Sequence, residues 1–403
     1  MAGQAVDDLD LVARRREAIP KGATRARAVL LSPGELLAFA SEWRDLAASS
    51  VETNPFYSPW MLGPALRLLP SNGVQVACVF EEEGGPRRLL ALAPVAPAKG
   101  YARLPFRYVE TWMHPHCFFA APLIRRGTEA EALPALFECM ERHPAQPSFL
   151  RFRHLDSIGA TAQCLRNAAE RSGRLAYASG AYERAMLEGG FVTADYVARV
   201  IRKKKRKEIA RLKNRLADEG GAVFRRLFDR TDLDKWCTDF LALEHAGWKG
   251  RQGTSMASSP AEAQFFRETL SGACEAGALE FYRLDKSGAP FAMIVNFVER
   301  GEGYSFKIAY DETHARFSPG VMLELEMLKE LEGSAGLKFV DSCARPDHSM
   351  INSLWSGRRR IAGLNVSVSG VGGRVLLSAV KTLENVSEEI RRRRRPEGAS
   401  NDI

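Results

Sequence analysis

Residues 304–311 read YSFKIAYD, residues 311–320 read DETHARFSPG and residues 321–333 read VMLELEMLKELEG. In the first run Tyr304, Phe306, Ile308 and Tyr310 alternate with Ser305, Lys307 and Ala309, the two-residue period of a strand with one apolar face. The last run repeats apolar residues at three- and four-residue spacing and stops at Gly333, as an amphipathic helix does. A strand that feeds a loop ending on Ser318-Pro319-Gly320 into a helix leaves backbone N–H groups unpaired at the helix start. With the helix dipole behind them, those donors favour phosphate or another anion, and Arg316 adds a cation that can fork onto phosphate oxygens. An ordinary strand–loop–helix connection has the same local pattern, so the neighbouring residues decide what it means.

Working outward, ALEFYRLD and APFAMIVNFVE read as strands before this unit, with the turns DKSG and ERGEG between the strands as in hairpins. This half starts at AVFRRLF, the helices DLDKWCTDFLALEHAG and AEAQFFRETLSGACEAG precede its strands, and the strands LKFVDSC and RRIAGLNVSVS follow. The first half has the same order. SPGELLAFASEWRDLAASS is a helix with Ser32 at its cap and Glu35 three residues on, and the strands VQVACVFEE, RLLALAPVAP and FRYVETWM come after it. ALPALFECMERH is a helix, SFLRFRHL a strand, ATAQCLRNAAERSG a helix, and LAYASGAYERAMLE a strand. Two halves with one order of elements suggest a duplicated α/β fold with mixed sheets. Between them, TADYVARVIRKKKRKEIARLKNRLADEGG reads as one long helix, an inter-domain arm with Val197, Val200, Ile201, Ile209, Leu212 and Leu216 on its buried face.

Composition narrows the class. The chain has 403 residues, 45% of them hydrophobic and 9% aromatic, which excludes a disordered protein. No apolar run approaches a membrane span, and the N-terminus lacks the apolar centre of a secretory signal. The 7 cysteines are irregularly spaced with no CxxC pair, so a reducing cytoplasm is the simplest compartment. The net charge of +8 is concentrated in Arg202–Lys207 and in Arg391–Arg395, blocks that attract nucleic acid, nucleotide phosphates or an anionic membrane surface. A solvated helix face and a frayed basic tail explain the same blocks.

YSFKIAYDETHARFSPGVMLELEMLK, with LEHAGWKGRQG before it and FVDSCARPDHSMINSLWSGRRRI after it, resembles the GNAT-type acyltransferase domain. More narrowly, these runs, NPFYSPWML and KKKRKEIARLKNRLADEGG look like the CelD/BioF2-like branch, whose two-domain plan is similar to that of FemAB peptidyltransferases. The resemblance implies two tandem GNAT-like domains joined by a helical arm. The expected layout is a flexible leader over 1–28, an N-terminal GNAT-like domain over 29–192, the basic arm over 193–221, a C-terminal GNAT domain over 222–370 and a helix with a basic tail over 371–403. It also implies transfer of an acyl group from acyl-CoA, with Arg316, Phe317, Ser318, Pro319, Gly320 and Val321 as the donor loop. The loop keeps the Arg and the first Gly of the family's pyrophosphate pattern, with Met322 where a small residue is usual.

Such a transfer needs a deprotonated nucleophile, a held carbonyl and a proton for the leaving group. Glu244 is a candidate base or amine-orienting group, or else a solvated helix carboxylate. Lys249, beside Gly250, pairs with Glu244, holds substrate oxygens or is a surface lysine. Lys307 lies on the polar face of a central strand and needs a partner, for which Asp341 at the end of FVD is the candidate; that pair is catalytic or a buried structural bridge. His348 is a proton shuttle or begins a helix capped by Asp347, and Tyr310 is expected as a packed core ring although it could protonate a leaving thiolate. His114, His116 and Cys117 form an H-x-H-C cluster without a paired distant ligand, so no metal is expected, and their turn is placed instead at an acceptor cleft between the domains.

The expected function is therefore a cytoplasmic acyltransferase, at most peripherally membrane-associated, acting on an amine or hydroxyl of a cell-envelope or polysaccharide precursor. One alternative keeps the fold and takes aminoacyl-tRNA, with the RKKKRK block holding the RNA. Another is a catalytically degenerate GNAT fold with a regulatory or scaffold role.

Overall fold

The protein is described here by a computed structural model of residues 26–82, 88–101, 104–334 and 336–394. Of the expected leader, residues 1–25 lie outside the described residues, and Ala26 already begins the first strand. The first half carries β1 (Ala26–Leu31), β2 (Gln75–Glu81), β3 (Leu89–Tyr101), β4 (Leu104–Thr111), β5 (Leu123–Ile124), β6 (Phe149–Asp156) and β7 (Ala176–Glu188). The second carries β8 (Val223–Arg226), β9 (Leu279–Lys286), β10 (Ala289–Glu299), β11 (Glu302–Tyr310), β12 (Phe339–Asp341) and β13 (Gly357–Ser367). All join one 13-stranded sheet in the order β1-β2-β3-β4-β6-β13-β7-β12-β11-β10-β9-β8, with β5 on β3.

That order is a duplication with an exchange. Each half runs four antiparallel strands into a parallel pair, β4 with β6 and β11 with β12. The last strand of each half then crosses over: β7 pairs with β12, β13 pairs with β6, and β7 and β13 pair with each other over most of their length. The two turns expected between the later strands are two-residue hairpin loops. Ser287-Gly288 and Arg300-Gly301 all have positive φ, as such loops require.

The helices are α1 (Ala40–Ser49), α2 (Pro59–Leu68), α3 (Glu129–Glu141), α4 (Ala160–Arg171), α5 (Thr193–Val200), α6 (Lys203–Asp218), α7 (Leu233–Ala246), α8 (Pro260–Glu275), α9 (Pro319–Glu332), α10 (Ser349–Leu354) and α11 (Gly370–Arg394), with short helical turns at Pro33–Leu36 and Trp248–Arg251. The capping box before Pro33 is present in full: Ser32 Oγ accepts from Glu35 N–H and Glu35 accepts from Ser32 N–H at 2.7 Å. One core runs from the first half across to α7, α8 and one face of β10–β11; a second lies between the other face, α5, α6, α9 and α10. α2 packs on α8 where Gly272 leaves room, since a Cβ there would sit 2.6 Å from Trp60 Cβ.

Two expectations are corrected. The arm is two helices rather than one: Ile201 is extended, with φ −85° and ψ 120°, and the chain restarts at Lys203. Arg206 donates to the carbonyls of Ala198 and Ile201, satisfying the end of α5 and fixing the bend. The alternation in β11 also breaks. Lys307 faces Val295 while Ser305 faces Asn296, so Phe306 is an extra residue, a β-bulge. Tyr304, Phe306 and Ala309 consequently enter the first core, and Ile308 joins the second.

Candidate functional site

β11 and β12 pair only from Glu302 to Tyr304, against Phe339 to Asp341. β11 continues to Tyr310, whereas the chain after Asp341 turns toward β7, with Ser342 N–H donating to Ala185 O at 3.1 Å. The sheet therefore splays open alongside Ser305–Tyr310. β11 ends at Tyr310; after a helical turn over Glu312–Phe317, Ser318 adopts a left-handed φ of 52° and α9 starts at Pro319 without a capping side chain. Pro319 has no N–H, so Gly320 and Val321 supply the free donors of this helix start.

Those donors face a cleft of about 1130 Å³. Ser318, Pro319, Gly320 and Val321 form one wall, Arg199, Ile201, Arg202 and Lys205 another, and Tyr310, Ser349, Met350 and Asn352 complete it. The bend between α5 and α6 is what turns Arg199 and Arg202 into the cleft, and neither has an ion-pair partner among the described residues. Of the six expected donor-loop residues, four line this space and two do not. Arg316 is exposed and held by Glu219 at 2.8 Å, stacked over the Phe317 ring, and Phe317 is 2% exposed in the second core. The cations beside the helix start come instead from the arm, a placement that the basic run announced only as a charge block.

Tyr310 is 36% exposed, contrary to the expected core ring, because the bulge turns the end of β11 outward. It borders both the large cleft and a small opening lined by Glu244, Trp248, Lys249, Ile308 and Glu312. Here Glu244 is buried, accepting from Lys249 Nζ at 2.7 Å and from Met256 N–H at 2.8 Å. The expected Glu244–Lys249 pair thus forms, and both carboxylate oxygens are engaged.

Lys307 is partly buried nearby, with Nζ over the Phe306 and Phe118 rings and 3.1 Å from His116 Nδ1. Burial and the neighbouring Lys249 ammonium bring its amine down to about 8, against the opposing pull of Glu244 and Glu262. Its expected partner Asp341 is elsewhere: fully buried, it accepts from Arg184 at 2.6 Å and Arg359 at 3.0 Å. β12 presents Asp341 opposite Tyr304, three residues from Lys307, and toward β7 and β13. His348 makes no hydrogen bond or ion pair with Lys307 among the described residues. It is exposed and caps α10 itself, its Nδ1 accepting from Ile351 N–H at 3.4 Å.

The first half has no matching anion site at the corresponding helix. α3 opens with Glu129 and Glu131, and Glu129 Oε1 takes the Gly127 N–H at 2.9 Å. Its loop after β4 instead crosses to β11, carrying His114, His116 and Phe118. His114 and His116 are pushed down by burial, to about 3 and about 2. Among the described residues no group of histidine, cysteine and acidic side chains is arranged to hold a metal. No helix of the described residues is long and apolar enough to cross a membrane.

Residues 203–348 match a family model described as an acetyltransferase (GNAT) domain. No curated protein matches the sequence. Among solved structures, FemX is similar with a TM-score of 0.51 and 11% identity over 81% of this chain and 95% of that one. The C-terminal domain of a putative lysylphosphatidylglycerol synthetase from Agrobacterium fabrum is similar with a TM-score of 0.50 and 12% identity, over 86% of this chain and 97% of that one. A conserved protein of unknown function from Bacteroides thetaiotaomicron has a TM-score of 0.50 and 11% identity, over 83% and 97%. These likenesses establish a shared fold.

Proposed function

Starting from the GNAT acetyltransferase domain over residues 203–348, we propose that this protein transfers an acyl group from acyl-CoA to an amine or hydroxyl. The observation that carries the reading is the uncapped start of α9 facing a cleft walled by Arg199, Arg202 and Lys205, next to the splay of β11 and β12. The donor's pyrophosphate binds the Gly320 and Val321 N–H groups and these cations. Its thioester arm lies along β11 in the splay, which brings the carbonyl toward Tyr310 and Lys307. The acceptor attacks the carbonyl carbon and gives up its proton to a nearby base, the C–S bond breaks, and the Tyr310 hydroxyl protonates the leaving thiolate and regains its proton from solvent. No covalent enzyme intermediate is needed. Cys117 and Cys237 are buried, and burial raises both thiols to about 12, away from nucleophilic form. The family resemblance supports a cell-envelope or polysaccharide precursor as the acceptor.

Titration calorimetry with acetyl-CoA tests the donor assignment. Saturable binding is expected, weakened about tenfold by Arg202→Glu and abolished by Gly320→Trp. A Cβ at Gly320 already stands 3.4 Å from Met350 Sδ, so the indole would fill the cleft. No binding at millimolar thioester would sink the reading. The exposed Lys203, Lys204 and Lys207, which extend the basic strip beyond the cleft, favour a second reading with aminoacyl-tRNA as donor. In that case RNA copurifies, and its affinity falls steeply with salt.

A further inference from the structure

The loop between β4 and β5 belongs to the first half by sequence and to the second half by contact. It meets the second half through His116 on Lys307 and Phe265 and through Phe118 on Phe306, while three hydrogen bonds anchor its backbone to the first half. Tyr57 Oη donates to Trp112 O at 2.7 Å, Asn54 Nδ2 to Ala121 O at 2.7 Å and Arg184 Nη1 to Phe118 O at 2.9 Å. Within it the His116 N–H donates to His114 Nδ1 at 3.3 Å, and the His116 ring lies flat on Phe265 of α8 at 5.4 Å. His116 is thus held on both sides before it meets Lys307.

Its two ring nitrogens face different partners. Nδ1 is hydrogen-bonded with Lys307 Nζ at 3.1 Å, whereas Nε2 closes no hydrogen bond and has the Glu262 Oε2 carboxylate oxygen 3.3 Å away. A carboxylate beside Nε2 favours the tautomer with its proton there, which leaves the Nδ1 lone pair for the lysine. Burial keeps the ring neutral, so Lys307 meets an acceptor of hydrogen bonds and not a second cation. Glu244 is a poor rival as a base, because Lys249 and the Met256 N–H occupy both of its oxygens.

We propose that Lys307 is the acceptor-side base and that His116, supplied by the first half, is the residue that positions it, so that the centre is shared between the two halves. This rests on the acyl-transfer reading above. Neutral Lys307 takes the proton that the acceptor sheds as its N–C or O–C bond to the acyl carbon forms. The thiolate released from the C–S bond takes its proton from Tyr310, and solvent exchange returns the ammonium and the tyrosinate to their starting forms. The groups facing Lys307 are Glu244 at the end of α7, Lys249 in the following turn, Glu262 on α8, and His114 and His116 on the loop. With an amine near 8, a useful fraction is neutral at physiological pH, and turnover rises with pH through that value as Lys307 deprotonates.

The test is competitive acetic anhydride labelling of the full chain across pH, reading Lys307 by peptide mass spectrometry. The wild-type midpoint is expected near pH 8. In His116→Ala water replaces the ring and hydrates the ammonium, which outweighs the loss of the Nδ1 acceptor, so the midpoint should rise by at least about one unit toward that of an ordinary lysine. His116→Asn, whose side chain can keep an acceptor near the Nδ1 position, should stay close to wild type. Coincident midpoints in wild type and His116→Ala would overturn the positioning role, as would a wild-type midpoint above about 10. On the same proteins, thiol release from acetyl-CoA with water as acceptor should fall about tenfold at pH 8 in His116→Ala with unchanged acetyl-CoA affinity, and recover in His116→Asn. An unaltered pH profile there would overturn the base. Failure of the wild type to bind acetyl-CoA would remove the acyl-CoA reading and the base argued for it, while the coupling of His116 to Lys307 would still be measured by the labelling.

Discussion

Arg184 and Arg359 stand directly opposite each other on β7 and β13, where like charges repel. Asp341 lies between them, and Glu52 at 3.0 Å and Asp156 at 2.9 Å hold the rest of the Arg359 fork. Phe119 and Phe339 lie near the same guanidinium at 4.5 and 4.8 Å. Asp341→Asn leaves two buried cations facing each other, so urea titration should register a loss of about 3–5 kcal/mol. Burial raises the Asp341 carboxyl, but the two guanidiniums more than offset it and hold it below its usual value. A lowered carboxylate contributes stability that is present above its unfolded pKa and lost as pH falls through the folded one. Wild type should therefore lose stability below about pH 4 with a slope that Asp341→Asn lacks. Glu324 on α9 has the opposite sign. It is 2% exposed, and neither its Oε2 nor the Trp355 Nε1 reaches a hydrogen-bond partner. Burial pushes it up to about 8, and the Trp355 indole N–H lies near enough to pull the other way without closing a hydrogen bond. Its contribution is full below the unfolded pKa and lost as pH rises through 8, so Glu324→Gln should gain up to about 4 kcal/mol at pH 9, read by urea titration, and little at pH 4. Asp341 stood out in the sequence as an acid at the end of an apolar strand, but its partner Arg184 is 157 residues away, a distance no local pattern spans.

Local chemistry decided most element boundaries. The capping box at Ser32 and the two hairpin loops were legible because each is closed by residues a few positions apart. The arm was misread because its apolar spacing continues through Ile201, while the bend is made by Arg206 reaching back to the end of α5. That bend brings the arm's arginines to the start of α9. The helix α10 offers a check on the roles of its ends. His348→Ala should cost about 1 kcal/mol of stability through loss of the cap, with acetyl-CoA affinity and turnover unchanged. A large drop in turnover at full stability would restore His348 as a proton shuttle. β11 is the other misread element, because a single-residue bulge changes which face each side chain takes without altering the composition of the strand.

The exchange of β7 and β13 joins the two halves in one sheet. Chains cut at residue 192 would separate β7 from both of its neighbours, β12 and β13, and would strip β13 from β6. Neither fragment should give a cooperative transition alone, whereas the full chain should unfold in one calorimetric step coincident by fluorescence and circular dichroism. Two resolved transitions would mean that the halves are energetically independent despite the shared sheet. The duplicated α/β plan, the strand–loop–helix over 304–333 and the presence of a concentrated basic block follow from periodicity, caps and charge, which act over a few residues and are written in order along the chain. The partner of Asp341, the bulge-driven exposure of Tyr310, the turning of Arg199 and Arg202 into the cleft, and the meeting of His116 with Lys307 across 191 residues came only with the folded sheet. These depend on how strands pair and which edges exchange, and contacts between residues so far apart leave no mark on the spacing of either one.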